Sequence, residues 1–120
     1  MKKIIKIEDK KIEFESNGRT LRMYRMYFKS DFLQDIMKLN KEVNNDDILG
    51  DFDYTLIENI AWICAKTADE SIPEIEEWLE QFDSPLSLMM KSNDIIDCVM
   101  SSIKPTIKPK KTIKKNKTKA

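Results

Sequence analysis

Acidic residues occur in close pairs that could bind a metal ion or act together as a general acid and a general base. The two clearest pairs are Asp51 with Asp53 and Asp94 with Asp97. A calcium-binding EF-hand loop needs oxygen ligands at alternating positions, a central glycine and a terminal glutamate. Residues 46–51 do not keep that spacing. We therefore interpret these carboxylates as helix caps and solvated surface, and we expect no metal site.

The residue inventory argues against most common catalytic groups. The absence of histidine removes Ser-His and Cys-His nucleophilic sites and histidine-ligated zinc. The two glycines, Gly18 and Gly50, cannot make a glycine-rich phosphate loop. Cys64 and Cys98 lie in apolar stretches that predict helices, so we expect buried thiols rather than a disulfide. The expectation is a protein without enzymatic activity or cofactor.

Aromatic and basic residues alternate between positions 19 and 29, a pattern that can hold single-stranded nucleic acid. The residues concerned are Tyr24, Tyr27 and Phe28 with Arg19, Arg22, Arg25 and Lys29. On a helix, however, Leu21, Tyr24 and Phe28 share one side and are expected to face the core. The acidic region 44–103 would also repel phosphate. Nucleic-acid binding is therefore the alternative hypothesis, not the first.

Two methionine clusters and one tryptophan are the candidate partner-binding residues. They are Met23, Met26, Tyr27, Trp62, Met89 and Met90. Methionine suits surfaces that accept varied partners because its unbranched thioether repacks at low cost, although it also fills gaps in cores. Trp62 falls outside the apolar arc of its own helix. It is therefore either covered by another element or offered to a partner.

Hydrophobic periodicity predicts a mainly α-helical domain with a short N-terminal β-hairpin over about 3–15. The hairpin is expected to turn at Asp9-Lys10, and Thr20 is the expected N-cap of the first helix. About five helices are predicted, near 20–28, 30–43, 52–68, 73–82 and 86–103, with Pro73 in the first helical position of the fourth. The predicted core includes Ile60, Cys64, Trp78, Leu79 and Phe82.

Charge divides the chain into three parts. Residues 1–43 carry 11 basic and 7 acidic side chains, a net charge of +4, and residues 44–103 carry 2 and 14, a net charge of −12. Residues 104–120 carry eight lysines and no acid. We expect one domain over 1–103 followed by a disordered lysine-rich tail over 104–120, which would contact the acidic region in a salt-sensitive way. Neither a membrane span nor a signal peptide is predicted, which favours a cytoplasmic location.

Two stretches carry a family resemblance. The first runs from Thr20 to Phe32 and continues through 35–39. The second runs from Ile57 to Asp69 and continues through Ile72-Pro73 and 77–82. Together they resemble the tail assembly chaperones of long-tailed phages and prophages of Gram-positive bacteria. Leu21 stands where that family commonly has proline, and Lys29-Ser30 stands where it commonly has Gly-Arg.

The resemblance implies a non-catalytic role in the host cytoplasm. Such chaperones bind the long helical tape measure protein and keep it soluble while tail tube subunits polymerise around it, and they are absent from the finished virion. The expected partners are thus the tape measure protein and, secondarily, the tail tube protein, with self-association left open. Two other classes compete with this hypothesis: a small prophage regulator that binds nucleic acid, and a structural subunit retained in the virion.

Overall fold

A two-stranded hairpin and six helices make up the part of the chain that the computed structural model describes, residues 2–43 and 53–107. The elements are β1 (Lys2–Ile7), β2 (Lys10–Glu15), α1 (Gly18–Phe28), α2 (Phe32–Val43), α3 (Tyr54–Ala68), α4 (Ile75–Leu79), α5 (Ser87–Met90) and α6 (Ser92–Ile107). The predicted mainly helical fold with an N-terminal hairpin is therefore confirmed.

The hairpin turns one residue earlier than predicted. Ile7 pairs with Lys10, so the two turn residues are Glu8 and Asp9, not Asp9 and Lys10. Both turn residues have positive φ, 52° and 73°, as in the type I′ turn that matches the twist of antiparallel strands. Alternation then directs four apolar residues of the two strands to the core, Ile5, Ile7, Ile12 and Phe14, whereas Ile4 is exposed on the opposite face.

The first helix begins two residues earlier than predicted because Asn17, not Thr20, is its N-cap. The Asn17 side chain accepts from the Arg19 backbone N–H at 2.9 Å, and the Asn17 N–H donates to the Thr20 hydroxyl at 3.0 Å. This reciprocal capping box satisfies donors that a helix end otherwise leaves unpaired. Thr20 is therefore the N3 residue of the capping box and not the N-cap.

Helix α3 is the centre of the fold. The Asp53 carboxylate accepts from the Leu56 N–H at 3.1 Å and caps the helix start, while the residue where the prediction began, Phe52, is outside the described ranges. Nine residues of α3 are buried, and the helix packs against β2, α1, α2, α4 and α5. The predicted central role of this helix is confirmed.

The C-terminal helices differ most from their predicted bounds. Helix α4 is shorter than 73–82, with Glu74 at its N-cap, so Pro73 precedes the helix. The predicted helix 86–103 is two helices because Lys91 forms a tight turn, in which its N–H donates to the Leu88 carbonyl at 3.1 Å. Helix α6 then continues to Ile107, four residues past the predicted boundary. The remainder of the predicted tail, 108–120, is outside the described residues.

The core lies between the inner face of the hairpin, α3 and α6. Ile60, Cys64 and Trp78 are buried as predicted, whereas Leu79 and Phe82 are only half-buried. The difference follows from the short α4, since Phe82 lies beyond its end and packs at the core margin, edge-to-face on Trp78 with ring centroids 5.3 Å apart. None of the helices in the described ranges is long and apolar enough to span a membrane.

Candidate partner-binding surface

The candidate residues on α1 are distributed around the helix in different environments. Met26 is 63% exposed and Tyr27 is 46% exposed, whereas Met23 is half-buried and packs on the core. Tyr27 leans against the core, with its ring edge-to-face on Trp62 at a centroid distance of 4.8 Å. Of these three residues, Met26 offers the most surface to a partner.

Trp62 is a core residue, which corrects the expectation that it contributes to a partner surface. It is 1% exposed, and its indole N–H donates to the Pro73 carbonyl at 2.9 Å. Tyr27 and Phe28 of α1 cover the ring, with Phe28 at 5.8 Å and a T-shaped angle. The aromatic residue outside the apolar arc of α3 is thus explained by α1 packing across it.

The second methionine cluster is also divided between core and solvent. Met89 is 9% exposed and belongs to the core, whereas its neighbour Met90 is 72% exposed. Both lie on α5, a single turn of helix that packs against α3 and α6. Because Met89 is buried, it cannot contribute to a partner surface. Of the two methionines of this predicted cluster, Met90 is the exposed one.

A larger exposed apolar area lies where α1 meets α2. We define the α1–α2 surface as Leu21, Arg22, Arg25, Leu33 and Met37. Leu21 and Leu33 line one cleft of about 340 Å³, together with Arg22, Arg25, Asp31 and Phe32. Met37 extends the surface, since it follows Leu33 by one helical turn, and all three apolar side chains are exposed.

Helices α1 and α2 give this surface a positive rim. Residues 18–43 contain six basic and three acidic side chains. One acid, Asp31, is within 3.7 Å of the Arg25 guanidinium, and another, Asp35, accepts from the Tyr24 hydroxyl at 2.8 Å and the Ser30 hydroxyl at 2.7 Å. Burial raises the pKa of Tyr24 above its ordinary value, which keeps this hydroxyl a donor. The surface therefore combines apolar side chains with cations.

Sequence reasoning missed the α1–α2 surface for an identifiable reason. The sequence predicts Leu21 in the core because it shares a helix side with Tyr24 and Phe28, yet Leu21 is exposed. Leu33 and Met37 have i, i+4 spacing beside the buried pair Phe32 and Ile36. That spacing was visible in the sequence, but only the placement of α1 shows which side of α2 is covered.

Two of the side chains that could take part in chemistry, Asp53 and Cys64, have structural roles. No group of three or more metal-binding side chains is found in the described ranges. Asp53 caps α3, as the capping interpretation predicts. Burial raises the pKa of Cys64, which favours an inert thiol.

Glu8 in the hairpin turn joins distant parts of the chain. Its carboxylate accepts from the Ser87 hydroxyl and from the N–H groups of Asp83 and Ser84, at 2.8 and 2.9 Å for the two N–H groups. These hydrogen bonds lower the pKa of the carboxyl from its ordinary value, with the Ser87 hydroxyl contributing most. The hairpin turn is therefore fastened to the loop before α5.

No protein-family model, curated protein or solved structure matches this chain.

Proposed function

We propose that this protein is a phage or prophage tail assembly chaperone that binds the tape measure protein and keeps it soluble while the tail tube assembles. The observation that carries the proposal is the concentration of exposed apolar side chains on two adjacent helices. Five of the nine large exposed apolar residues in the described ranges lie on α1 and α2: Leu21, Met26, Tyr27, Leu33 and Met37. The sequence resemblance over 20–39 covers the same two helices.

The α1–α2 surface suits the apolar face of an amphipathic helix. Such a helix places anchors at i, i+3, i+4 and i+7 into a hydrophobic groove, and the cleft between Leu21 and Leu33 would accept one of them. Masking this face would keep a long helical protein from aggregating. Methionine at the edge of the surface allows repacking against successive segments, which fits a partner that is released when tube subunits replace the chaperone.

The rim sets the charge of the preferred segment. Arg22 and Arg25 flank the cleft, so acidic residues beside the apolar anchors of the partner would gain from complementary potential. We expect the bound tape measure segment to carry Asp or Glu next to its apolar positions. The affinity of the protein for this segment should decrease as the salt concentration is raised, because salt screens the exposed charges.

The test is coexpression with the tape measure protein encoded in the same genome. The full chain should raise the soluble yield of that partner and copurify with it. The double variant Leu21→Asp/Leu33→Asp should weaken binding by about tenfold or more, since it places charge in the centre of the contact. Met90→Asp is the matched control, because Met90 is exposed on α5, away from the cleft. Equal partner recovery with all three proteins would contradict the proposal.

Nucleic-acid binding is the second candidate, and the cations on the same two helices favour it. Exposed Arg22 and Arg25 could contact phosphates. The variant Arg22→Gln/Arg25→Gln separates the two functions. A nucleic-acid regulator would lose most of its DNA affinity in a gel-shift titration, whereas a chaperone would show little DNA affinity from the start and retain most of its tape measure binding.

A further inference from the structure

Within residues 2–43 and 53–107, no strand pairs with the outer edge of β2. The sheet of the described chain has two strands, β1 and β2. In a two-residue hairpin the closing pair, Ile7 with Lys10, exchanges two hydrogen bonds, and bonded and non-bonded pairs then alternate along the ladder. Lys11 pairs with Lys6 and Glu13 pairs with Ile4 at non-bonded positions. Their N–H and C=O groups therefore point outward from the sheet.

A groove runs along this edge. It has a volume of about 430 Å³, and β2 contributes Lys11, Ile12 and Glu13 to it. Successive side chains of a strand point to opposite faces, so a cleft lined by three consecutive residues is in contact with both faces of β2, as expected at a strand edge. The opposite wall comes from the loop after α3 and from α4: Asp69, Ile72, Pro73, Glu77, Trp78 and Gln81.

The groove has an apolar floor and an acidic rim. Ile12 and Trp78 are buried beneath it, and Ile72 and Pro73 are half-buried in its wall. Three carboxylates, Glu13, Asp69 and Glu77, surround one cation, Lys11, so the lining has a net charge of −2. An occupant that extends the sheet here should be extended, basic and free of proline where it pairs.

We propose that the lysine-rich segment 110–115 of the same chain pairs with the outer edge of β2 as a third, antiparallel strand. The segment Lys-Lys-Thr-Ile-Lys-Lys contains four cations, two β-branched residues and no proline or acid. β-branched residues favour strands. Its six residues match the six residues of β2, and both would extend about 20 Å.

The fold brings the chain to the correct end of β2 for this pairing. The Ser102 hydroxyl of α6 donates to the Ser16 hydroxyl at 3.0 Å, and Ser16 follows Glu15, the last residue of β2. Helix α6 ends five residues after Ser102, about 7.5 Å further along its axis. Only residues 108 and 109 separate that end from the proposed strand. A segment entering beside Glu15 and running toward Lys11 is antiparallel to β2.

Amide hydrogen exchange of the full chain, followed by NMR, tests the pairing. The N–H groups of Lys11 and Glu13 should exchange more slowly than those of Lys6 and Ile4, by a factor of about ten or more. Lys6 and Ile4 are matched controls, because they are the cross-strand partners of Lys11 and Glu13 and face outward from the opposite edge. Equal exchange at the two edges, after correction for intrinsic rates, would overturn the proposal.

Two variants outside the described residues identify the occupant without disturbing the fold. Thr112→Pro keeps every charge but removes an N–H and should abolish the slow exchange at Lys11 and Glu13. A variant with Lys110, Lys111, Lys114 and Lys115 changed to Glu should abolish it as well. If Lys11 and Glu13 stay protected in Thr112→Pro alone, the segment contacts the groove by charge and not by strand pairing. If they stay protected in both variants, something other than this segment occupies the groove. Protection that depends on protein concentration would show a second copy, and each of these three results contradicts the proposal.

Discussion

Helices α1 and α3 are both rich in apolar residues, but they differ in how much of that surface is covered. Nine of the fifteen residues of α3 are buried, compared with two of the eleven residues of α1, Thr20 and Tyr24. Helix α3 is surrounded by the hairpin and four helices, whereas α1 packs mainly on α3 and α2. Position in the fold therefore decides whether an apolar side chain stabilises the core or is available to a partner.

The largest expected effect of this difference is at Trp62. Trp62→Ala should lower the free energy of unfolding by about 3–5 kcal/mol, because it removes a buried ring and leaves a cavity. Chemical denaturation would measure the loss. A loss below about 1 kcal/mol would contradict the description of α3 as covered on this side by Tyr27 and Phe28.

The hydroxyl contact that joins the two helices should give the next largest effect. Thr67 Oγ donates to the Ile63 carbonyl at 2.7 Å and lies 3.1 Å from the buried Thr20 Oγ. Thr67→Val keeps the shape but leaves Thr20 without this partner, and it should cost about 1–3 kcal/mol. Thr55→Val is the control, since Thr55 is exposed on the same helix. Equal stability of the two variants would sink the prediction.

The start of α1 should be weakened by a smaller amount. Asn17→Ala removes the side chain that accepts from the Arg19 N–H, and N-cap losses cost about 1 kcal/mol. Thermal unfolding would detect the decrease. Asn93→Ala, at an exposed position of α6, provides a reference, and a cap variant that matches it would argue against the capping box.

The smallest expected effect is at the exposed methionines. Met26→Ala and Met37→Ala should each change the free energy of unfolding by less than about 0.5 kcal/mol, because neither leaves a cavity. A loss above about 1.5 kcal/mol from either change would show that its side chain is covered. For Met26, which lies on α1, that result would contradict the comparison between α1 and α3.

The sequence was sufficient for the element types, since the 3.6-residue period of α3 and the alternation of β2 each specify one structure. Element ends were less predictable. Asn17 and Thr20 are both good capping residues, and the local sequence does not show that the Thr20 hydroxyl contacts both the Asn17 N–H and Thr67 of another helix. The break at Lys91 depends on a turn geometry that apolar spacing does not encode.

The candidate surface was less predictable than the fold because exposure is a property of packing between helices. Of the predicted partner-binding residues, Met26 and Met90 are exposed, whereas Trp62 and Met89 are buried. The spacing of a methionine or tryptophan along its own helix is the same whether or not a neighbouring element covers its side chain. For Trp62 the position of α1 across α3 decides the outcome, and for Met89 the packing of α5 on α3 and α6 decides it.

The fastening of the hairpin has a consequence for how the chain folds. Glu8 bonds with residues 75 to 79 positions later, and Ser16 bonds with Ser102, 86 positions later. Ribosomes add about 5–20 residues per second, so the hairpin is synthesised several seconds before these partners exist. Helices α1 and α2 can pack during that interval, because their contacts are local. The hydrogen bonds of Glu8 and Ser16 therefore form late, after the segment 83–102 has been made, whereas β2 can pack against α3 before that.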